Sequence, residues 1–481
     1  MKIAFIEPRP PLNLYFFLSK LPLLGPLYLG TILKKAGHEV KVFKEDMARA
    51  YNERTDELHP YIQEADAVGI TAVTHSVNRA YQIADAIKRQ YPGKRVIMGG
   101  NHPSALPGEA LRHADQVVVG EGENVVRDVF EGRTEDRIVY GTRADIDELP
   151  PLELDLLAAY EAPRVRKKIT SAPIMASRGC PHDCIFCSVT NMFGKRYRIR
   201  AADLVMEEVK RRHAEGFRSM FFYDDNFAAV PEKAKIFLEK LIRADLDFTW
   251  SSQFSIHVAR DRELVDLLKR AHCTTLFIGV ESINPEALKD YRKAQSVELI
   301  KDSIATLVSA GLKVHSMFIL GADADDAGTI EETIRFSRDS KSSTAQFSIL
   351  FPIPGTELYD IMKEQDRILI NDWDYFDGTH SVILPLALSP LQLQKKFIHA
   401  YRYFFGRNFL YRIASGVGFF IWKFIFRKYM RFIRSVSRRL RREAPAKERT
   451  VNYRTVTMSE LFKNRLSKPV TLSYRRKRQP L

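Results

Sequence analysis

The chain of 481 residues contains only four cysteines, and three of them, Cys180, Cys184 and Cys187, lie within eight residues of one another. A disulfide framework would spread its cysteines along the chain. We also expect no signal peptide, because the opening MKIAFIEP is typical of a buried strand rather than of a basic stretch followed by an apolar run and a cleavage site. We therefore expect a cytosolic protein whose clustered cysteines bind metal.

Acidic residues are scarce in the tail of the chain. Residues 401–481 carry 22 Lys and Arg against 3 Asp and Glu, a net charge of +19. Residues 1–400 carry the remaining 52 basic and 56 acidic residues, a net charge of −4. The positive charge of the whole chain therefore belongs to its tail.

Short apolar runs alternate with helical patterns over the first 140 residues. Strands are predicted at 2–7, 38–45, 65–73, 94–100 and 115–122, and helices at 25–37 and 77–90. Continuous Val and Ile strands separated by helices are typical of a doubly wound parallel sheet. Ligands of such sheets bind beyond the carboxyl ends of the strands, where this segment carries its glycines and polar residues.

A second series of strands and helices follows a linker in which Pro150 and Pro151 end any helix. Its predicted strands are 173–177, 218–223, 248–254, 275–281, 313–320 and 344–350, and its predicted helices are 201–215, 231–244, 261–271, 297–310 and 328–340. Six parallel strands with right-handed crossovers form either an open sheet or a partial barrel, and the spacing favours the barrel.

The tail mixes bulky apolar residues with regularly placed Arg and Lys over residues 405–435. Its longest uncharged stretch, Ile413 to Trp422, is ten residues long and too short to span a bilayer. The pattern predicts an interfacial amphipathic helix with Trp422 and several Phe on the lipid side and cations near the headgroups. The alternative is a helix that packs on the enzyme and presents a solvated basic face.

The segment ASRGCPHDCIFCSV holds the three clustered cysteines directly after a predicted strand. Four thiolates close the coordination of an iron–sulfur cluster, whereas three leave one iron open to a small ligand. The alternative is a zinc site with His182 as fourth ligand, but zinc ligands usually come as two pairs from separated segments. The spacing therefore favours a 4Fe-4S cluster. Cys273 lies far away and is expected to be a buried structural residue.

This CxxxCxxC loop, with Phe186 before its last cysteine, resembles the radical S-adenosylmethionine superfamily, and the resemblance covers about residues 170–355. It implies that the open iron binds S-adenosylmethionine. It further implies that the cluster cleaves this molecule to a 5′-deoxyadenosyl radical, with an electron donor such as flavodoxin or ferredoxin.

Later strand ends match family positions that contact S-adenosylmethionine. The resemblance proposes Phe186, Asp224, Asp225, Asn226, Gln253, Glu281 and Ser282. Asp224 and Asp225 belong to FFYDDN, the turn that meets the methionine amino group in the family, although an aspartate pair there is equally typical of a helix cap. Glu281 belongs to FIGVES, where a carboxylate can accept hydrogen bonds from two ribose hydroxyls. The stretch MFILGAD resembles the strand that lines the adenine, but it departs from the family's Gly-Glu pair.

The first domain resembles the cobalamin-binding module that is often fused ahead of such barrels. The segments that carry the resemblance are PLLGPLYLGTILKKAGHEV, VIMGGNHPSALP and VVVGEGE. The candidate cobalamin contacts are Thr71, Thr74, Ser76, Gly99, Gly100, His102, Gly120, Glu121 and Gly122. The DxHxxG motif that gives cobalt a histidine ligand is missing from this domain, so its lower cobalt face is unassigned, and a remnant fold that binds nothing is the alternative.

These observations predict an α/β protein. We expect a doubly wound, Rossmann-like cobalamin-binding domain over residues 1–143, a linker over 144–169, a partial (β/α)6 TIM-type radical barrel over 170–385 and a basic α-helical tail over 386–481.

The predicted layout is similar to that of radical enzymes that methylate unactivated carbons and to that of the anaerobic magnesium-protoporphyrin monomethyl ester cyclase. It implies methylation or another modification of a hydrophobic substrate, such as a lipid, an isoprenoid, a tetrapyrrole or a natural product, collected through peripheral membrane contact of the tail. A tRNA-modifying enzyme is less favoured, because no cysteine precedes Cys180 and the tail interleaves its charge with Phe, Ile and Trp. A metal-stabilised interaction protein would require the strand-end polar residues to be accidental.

Overall fold

The structure is a computed structural model that describes residues 1–10, 21–406 and 427–442, and the residue pairs 450–451 and 472–473. The described residues form two compact units. One contains residues 1–183, 187–278 and 309–313, and the other contains residues 184–186, 279–308 and the described residues after 313. The domain boundaries drawn from the sequence stay a prediction.

The first unit begins with a parallel sheet, as the Val and Ile runs predict. Its strands in chain order are β1 Lys2–Glu7, β2 Glu39–Lys44, β3 Ala67–Thr71, β4 Arg95–Gly99, β5 Gln116–Val119 and β6 Ile138–Tyr140. They pair in the order β2-β1-β3-β4-β5-β6, all in parallel. The chain reverses its winding direction between β1 and β3, which is where doubly wound sheets open a crevice for ligands.

Helices connect these strands. They lie at Leu24–Lys35, Pro60–Glu64, Val77–Gln90, Asn101–Ala105, Pro107–Ala110 and Val126–Phe130, and a short hairpin joins Tyr51–Asn52 to Glu57–Leu58. The helix Val77–Gln90 turns Val77, Ile83 and Ile87 into the core, where none of the three side chains is exposed. Apolar residues at this spacing form the buried stripe of an amphipathic helix.

The second series of strands also begins in the first unit. In chain order it contains β7 Ala172–Ile174, the short hairpin strands β8 Ser177–Arg178 and β9 Arg198–Ile199, β10 Ser219–Phe222, β11 Thr249–Phe254 and β12 Cys273–Glu281. The strands β7, β10, β11 and β12 pair in parallel in that order. The helices of this part are Pro163–Arg166, Ser188–Phe193, Ala202–Ala214, Pro231–Ala244 and Arg262–Arg270.

The second unit continues the alternation. Its strands β13 Lys313–Leu320 and β14 Thr344–Ile349 pair in parallel, with His315 opposite Thr344 and Leu320 opposite Ile349. The helices of this later part lie at Pro285–Asp290, Val297–Ser309, Ala327–Asp339, Glu357–Glu364, Pro390–Phe405 and Arg427–Arg442. The α/β fold with parallel sheets is therefore confirmed.

The helix Arg427–Arg442 packs on the second unit through its apolar side. Tyr429 and Ile433 have no exposed surface and belong to the core of this unit. The Tyr429 hydroxyl donates to Gln394 Oε1 at 2.6 Å and accepts the Ser381 N–H at 2.7 Å. This segment therefore has the packed arrangement with a solvated basic face, whereas the predicted lipid-facing residues around Trp422 lie outside the described residues. Within the described part, no helix is both long and apolar enough to cross a membrane.

Aromatic side chains form the core beside strand β11. Trp250 is 1% exposed, and its ring centroid lies 5.0 Å from those of Phe222 and Phe227. The indole N–H donates to the carbonyl of Ala271 at 2.7 Å, which satisfies the one polar atom of the ring. This residue therefore joins β10, β11 and the end of the helix Arg262–Arg270.

We expect Trp250→Ala to lower the free energy of unfolding by about 3–5 kcal/mol, because it leaves a large cavity and removes the indole donor. Trp250→Phe keeps most of the ring and should cost less. As a control, Ile236→Ala changes a side chain that is 48% exposed and should cost less than about 0.5 kcal/mol. Urea unfolding followed by circular dichroism measures the three effects, and equal midpoints for the two alanine variants would contradict this account.

Candidate active site

The cysteine loop follows strands β7 and β8 in the chain. Cys180, Cys184 and Cys187 are thiols and half-buried, and the helix Ser188–Phe193 begins directly after the last of them. Gly179 opens the loop with φ +88°, and a Cβ there would lie 2.8 Å from the carbonyl oxygen of Arg196. Only glycine fits at this point, so the sequence sets a sharp turn just before the first cysteine.

Three thiols on one loop are a donor set that fits an iron–sulfur cluster with one open iron. Within the described ranges, no group of three or more His, Cys, Asp or Glu side chains is spaced to hold a single metal ion. Thiolates that bind different corners of a cluster stand further apart than the ligands of one ion. His182, the alternative zinc ligand, stacks on the ring of His257 at a centroid distance of 6.1 Å.

Two carboxylates, one buried and one half-buried, hold the backbone that leads into the loop. Asp224 is completely buried and accepts the Ala176 N–H at 3.1 Å and the Ser177 hydroxyl. Asp225 accepts the Gly179 N–H at 3.0 Å. Burial raises the pKa of Asp224 to about 7 and also raises that of Asp225, although the hydrogen bonds they accept oppose the shift. The acidic pair therefore braces the segment before Cys180.

The neighbouring candidates of the first unit lie at two strand ends. Asn226 is buried, and its side-chain oxygen accepts the Ser255 N–H at 3.0 Å. Gln253 lies half-buried near the end of β11, and its carbonyl accepts the Phe227 N–H at 3.0 Å. Asn226 thus fixes the turn that follows β11.

The other predicted S-adenosylmethionine contacts belong to the second unit. Glu281 ends β12 with φ +62°, a left-handed conformation that is uncommon outside glycine, and accepts a hydrogen bond from Lys293 at 2.8 Å. Ser282 is buried, and its hydroxyl accepts the Asn284 N–H at 3.0 Å. The ring of Phe186 meets the edge of Tyr291 at a centroid distance of 5.2 Å.

A large cavity lies at the carboxyl ends of the strands of the first sheet. It encloses about 1420 Å³ of unfilled space, including the part that is open to solvent. Six of the predicted cobalamin contacts line it, namely Thr71, Gly99, Gly100, Gly120, Glu121 and Gly122. Gly100 has φ +97°, and a Cβ there would lie 2.8 Å from the Ala72 carbonyl oxygen and the Thr71 hydroxyl. Backbone geometry alone therefore requires glycine at position 100.

The other three predicted contacts are buried and are not among the residues that line the cavity. His102 is 1% exposed, with Nδ1 at 3.3 Å from the Thr74 hydroxyl and Nε2 at 3.4 Å from Glu109. The Ser76 hydroxyl donates to the carbonyl of Val73 at 3.2 Å. These side chains therefore form hydrogen bonds within the protein and do not line the cavity.

The cavity is also lined by residues that flank the cysteines in the chain and by two that follow β10. Of these, Asp225 is a predicted S-adenosylmethionine contact, whereas the sequence did not single out Met175, Ser177, Arg178, Met192, Phe193 and Tyr223. Their position in the chain could have identified some of them, because Arg178 lies two residues before Cys180 and Met192 lies five residues after Cys187.

The cavity fits the shape and chemistry of a large flat cofactor. Its floor is apolar, with Phe5, Leu29 and Phe130 among the lining side chains, and its rim carries glycines that let backbone approach a ligand closely. No histidine is found among the described lining residues, in keeping with the missing DxHxxG motif. The residues present therefore suit cobalamin held without a histidine from this wall.

We expect the stability of the cluster-free protein to fall as the pH rises from about 4 to about 7 through the titration of Asp224. Its folded pKa, about 7, lies above the ordinary value of 3.8, so the folded state binds this proton more tightly and the stabilisation is lost as the carboxyl ionises. Asp224→Asn keeps the side chain neutral and should remove this dependence.

Urea midpoints of wild type and Asp224→Asn at pH 5 and pH 8 measure the effect. The wild type should lose more stability than the variant between the two values. Asp203→Asn changes a carboxylate whose side chain is 80% exposed, and its profile should run parallel to that of the wild type. Parallel profiles for Asp224→Asn as well would refute the assignment.

Comparison with known families identifies two domains in the chain. Residues 174–337 match the model of the radical SAM superfamily, and residues 17–130 match that of the B12 binding domain. The radical S-adenosylmethionine and cobalamin resemblances seen in the sequence are therefore confirmed.

Individual proteins of known families are similar in sequence to this chain over most of its length. The bacteriochlorophyllide d C-12(1)-methyltransferase of Chlorobaculum tepidum is 31% identical over 361 residues, which are 73% of this chain and 77% of that protein. The anaerobic magnesium-protoporphyrin IX monomethyl ester cyclase of Rubrivivax gelatinosus is 26% identical over 84% of this chain and 77% of its own length.

A solved structure has the same fold. The radical S-adenosylmethionine methyltransferase TsrM from Kitasatospora setae, with cobalamin and a [4Fe-4S] cluster bound, aligns with a TM-score of 0.60 at 19% identity over 76% of this chain and 74% of that chain. The two family matches and the 31% identical relative show that the chain belongs to the radical SAM enzymes that carry an N-terminal B12-binding domain, whose cofactors are a 4Fe-4S cluster, S-adenosylmethionine and cobalamin.

Proposed function

We propose that this enzyme transfers a methyl group to an unactivated carbon of a hydrophobic cyclic tetrapyrrole. The observation that carries the proposal is the single cavity whose wall combines predicted cobalamin contacts with residues that flank Cys180 and Cys187. The choice of substrate class rests on the 31% identical relative, which is named as a methyltransferase of a bacteriochlorophyllide.

The residues already described suggest which part of the site would bind each cofactor. Cys180, Cys184 and Cys187 would hold the cluster, and the glycine-rich rim of the cavity would hold cobalamin. When bound, the cluster supplies the electron that cleaves S-adenosylmethionine to a radical able to remove hydrogen from carbon, and cobalamin supplies the methyl group.

The chain's own side chains would prepare this chemistry by fixing positions and excluding water. Asp224 and Asp225 hold the backbone before Cys180, as their hydrogen bonds to Ala176 and Gly179 indicate. The apolar floor of the cavity keeps water from reactive carbon centres. Glu281, with its left-handed backbone and its Lys293 partner, is proposed to face the ribose of S-adenosylmethionine.

An oxidative cyclase of the magnesium-protoporphyrin monomethyl ester type is the second candidate. The observation in its favour is that the relative named as such a cyclase aligns over 84% of this chain, more than the methyltransferase does. The two candidates differ in product, because one adds a carbon to the substrate and the other closes a ring.

We also propose that the enzyme works at an anionic membrane surface. Arg427, Arg431, Arg434 and Arg438 are exposed and follow each other at intervals of four, three and four residues, which places them on one helix face. The opposite face is buried in the protein, so binding would be electrostatic and would not insert the helix. A small acidic electron donor such as flavodoxin or ferredoxin is proposed as the source of electrons.

Anaerobic reconstitution with iron, sulfide and cobalamin tests the proposed reaction. With S-adenosylmethionine that carries an isotopically labelled methyl group, a reductant and a bacteriochlorophyllide, we expect the label to appear in the tetrapyrrole by mass spectrometry. Formation of 5′-deoxyadenosine with ring closure and no label would favour the cyclase, and no modified tetrapyrrole of either kind would reject the substrate class.

Two cysteine variants distinguish a specific loss of the cluster from general damage to the protein. Cys180→Ala should lose iron, the absorbance of the cluster and label transfer. Cys273→Ala should keep all three, because Cys273 is 5% exposed and burial raises the pKa of its thiol, which keeps it protonated. A Cys180→Ala protein with full iron content would contradict the proposed cluster site.

Replacing Arg427, Arg431, Arg434 and Arg438 with Gln should weaken binding to phosphatidylglycerol vesicles by on the order of a hundredfold or more, at about 1 kcal/mol for each cation. The control replaces four exposed cations elsewhere, Arg54, Lys233, Arg262 and Lys301, with Gln. Vesicle flotation at low and high salt measures both proteins. Equal flotation of the two variants, or binding to RNA without binding to vesicles, would reject the membrane proposal.

A further inference from the structure

Two motifs that are far apart in the sequence meet in a buried ion-pair network. Glu121 belongs to the GEGE loop after β5, and Arg178 and Arg198 belong to the hairpin strands β8 and β9. Arg178 Nη1 lies 2.8 Å from Glu121 Oε2 and 2.8 Å from Glu123 Oε1. Arg198 Nη1 donates to the same Glu121 carboxylate at 2.9 Å. Two carboxylates and two guanidinium groups thus neutralise each other.

Sheet geometry explains why Glu121 stands at this point. Arg178 and Arg198 are directly opposite each other in the antiparallel pair of β8 and β9, and like charges at such positions destabilise a sheet. The Glu121 carboxylate accepts from both, and it also accepts the Ala144 N–H at 3.2 Å. Burial alone would raise the pKa of Glu121, but the arginine contacts outweigh burial and hold the pKa below its ordinary value.

Most of the network is buried, and Arg198 is its most exposed side chain at 13%. The side chains of Glu121, Glu123 and Arg178 are 2%, 7% and 8% exposed. Buried ion pairs add little net stability, because desolvation offsets the attraction, but removal of one partner leaves a buried charge without compensation. Such a contact is better suited to fixing a position than to stabilising the fold.

The two ends of the network touch the two halves of the proposed site. Gly120 and Gly122, on either side of Glu121, line the cavity. Arg178 is followed by Gly179, whose N–H is held by Asp225, and then by Cys180. The Arg178 guanidinium also lies over the ring of Phe193, 5.4 Å from its centroid, on the helix that follows Cys187.

We propose that the Glu121–Arg178 pair is a positioning element that sets the place of Cys180 relative to the cavity wall. The inference rests on the proposed roles of Cys180 and of the cavity. It assigns to Glu121, which also lines the cavity, a contact with the chain. The environment of the cluster and the affinity of the cavity for cobalamin then both depend on this ion pair.

The test uses the full chain reconstituted with iron and sulfide. Glu121→Gln removes the carboxylate charge that Arg178 and Arg198 share. We expect altered g values in the electron paramagnetic resonance spectrum of the reduced cluster, and cobalamin affinity weakened by about tenfold. Arg178→Lys keeps the charge, and a single ammonium can contact both carboxylates as Nη1 does, so both changes should be smaller.

The matched control is a second buried Arg–Glu pair of the same unit. Arg79 donates two hydrogen bonds to Glu45 at 2.8 and 2.7 Å, and neither residue lines the cavity or adjoins the cysteine loop. Glu45→Gln should lower the urea midpoint while it leaves the cluster spectrum and cobalamin affinity unchanged. If Glu121→Gln does not fold, Glu123→Gln, which removes only one of the two partners of Arg178, takes its place with the same two readouts.

The outcomes separate this inference from the proposed function. A wild-type protein that binds no cluster or no cobalamin would overturn the proposed function. A wild type that binds both, with Glu121→Gln and Arg178→Lys matching Glu45→Gln in spectrum and affinity, would overturn the positioning role alone.

Discussion

The carboxylates of Asp224 and Asp225 set the start of the cysteine loop, because backbone N–H groups that are removed from water need acceptors. Asp224 accepts from Ala176 and Ser177, and Asp225 accepts from Gly179, so the strand end at β10 fixes the segment that leads to Cys180. Gly179 completes the turn, since no other residue has room beside Arg196. A family resemblance assigns the same acidic pair to a cofactor, and the two roles are compatible where a carboxylate has more than one lone pair to offer.

The first sheet contributes a second constraint through its loops. The carboxyl ends of β3, β4 and β5 supply the glycine-containing turns that line the cavity, and the apolar side chains beneath them exclude water. Glu121 lies in one of these turns, with its carboxylate paired to Arg178 and Arg198. The loop that bounds the cavity is thereby tied to the two paired strands, β8 and β9, that flank the cysteine loop in the chain.

Charged and apolar residues lie on opposite faces of the helix Arg427–Arg442. Tyr429 and Ile433 are taken up by the core of the second unit, and arginines occupy the outer side. An amphipathic pattern alone cannot tell whether an apolar face meets lipid or protein, because both remove it from water equally well. Here the protein core covers that face over residues 427–438.

The sequence by itself determined the α/β alternation, most element positions and the cofactor family. Runs such as KVHSMFIL bury alternate side chains through local periodicity, and β13 lies at Lys313–Leu320 as the pattern predicts. The cysteine spacing carries the cluster chemistry, because all three donors stand on one short loop.

Only the tertiary structure decided which polar residues face the cavity. His102, Thr74 and Ser76 form hydrogen bonds with protein groups and do not line the cavity, whereas Ser177 and Arg178 line it. The physical reason is that a side chain's partner depends on segments distant in the chain, which no local pattern records.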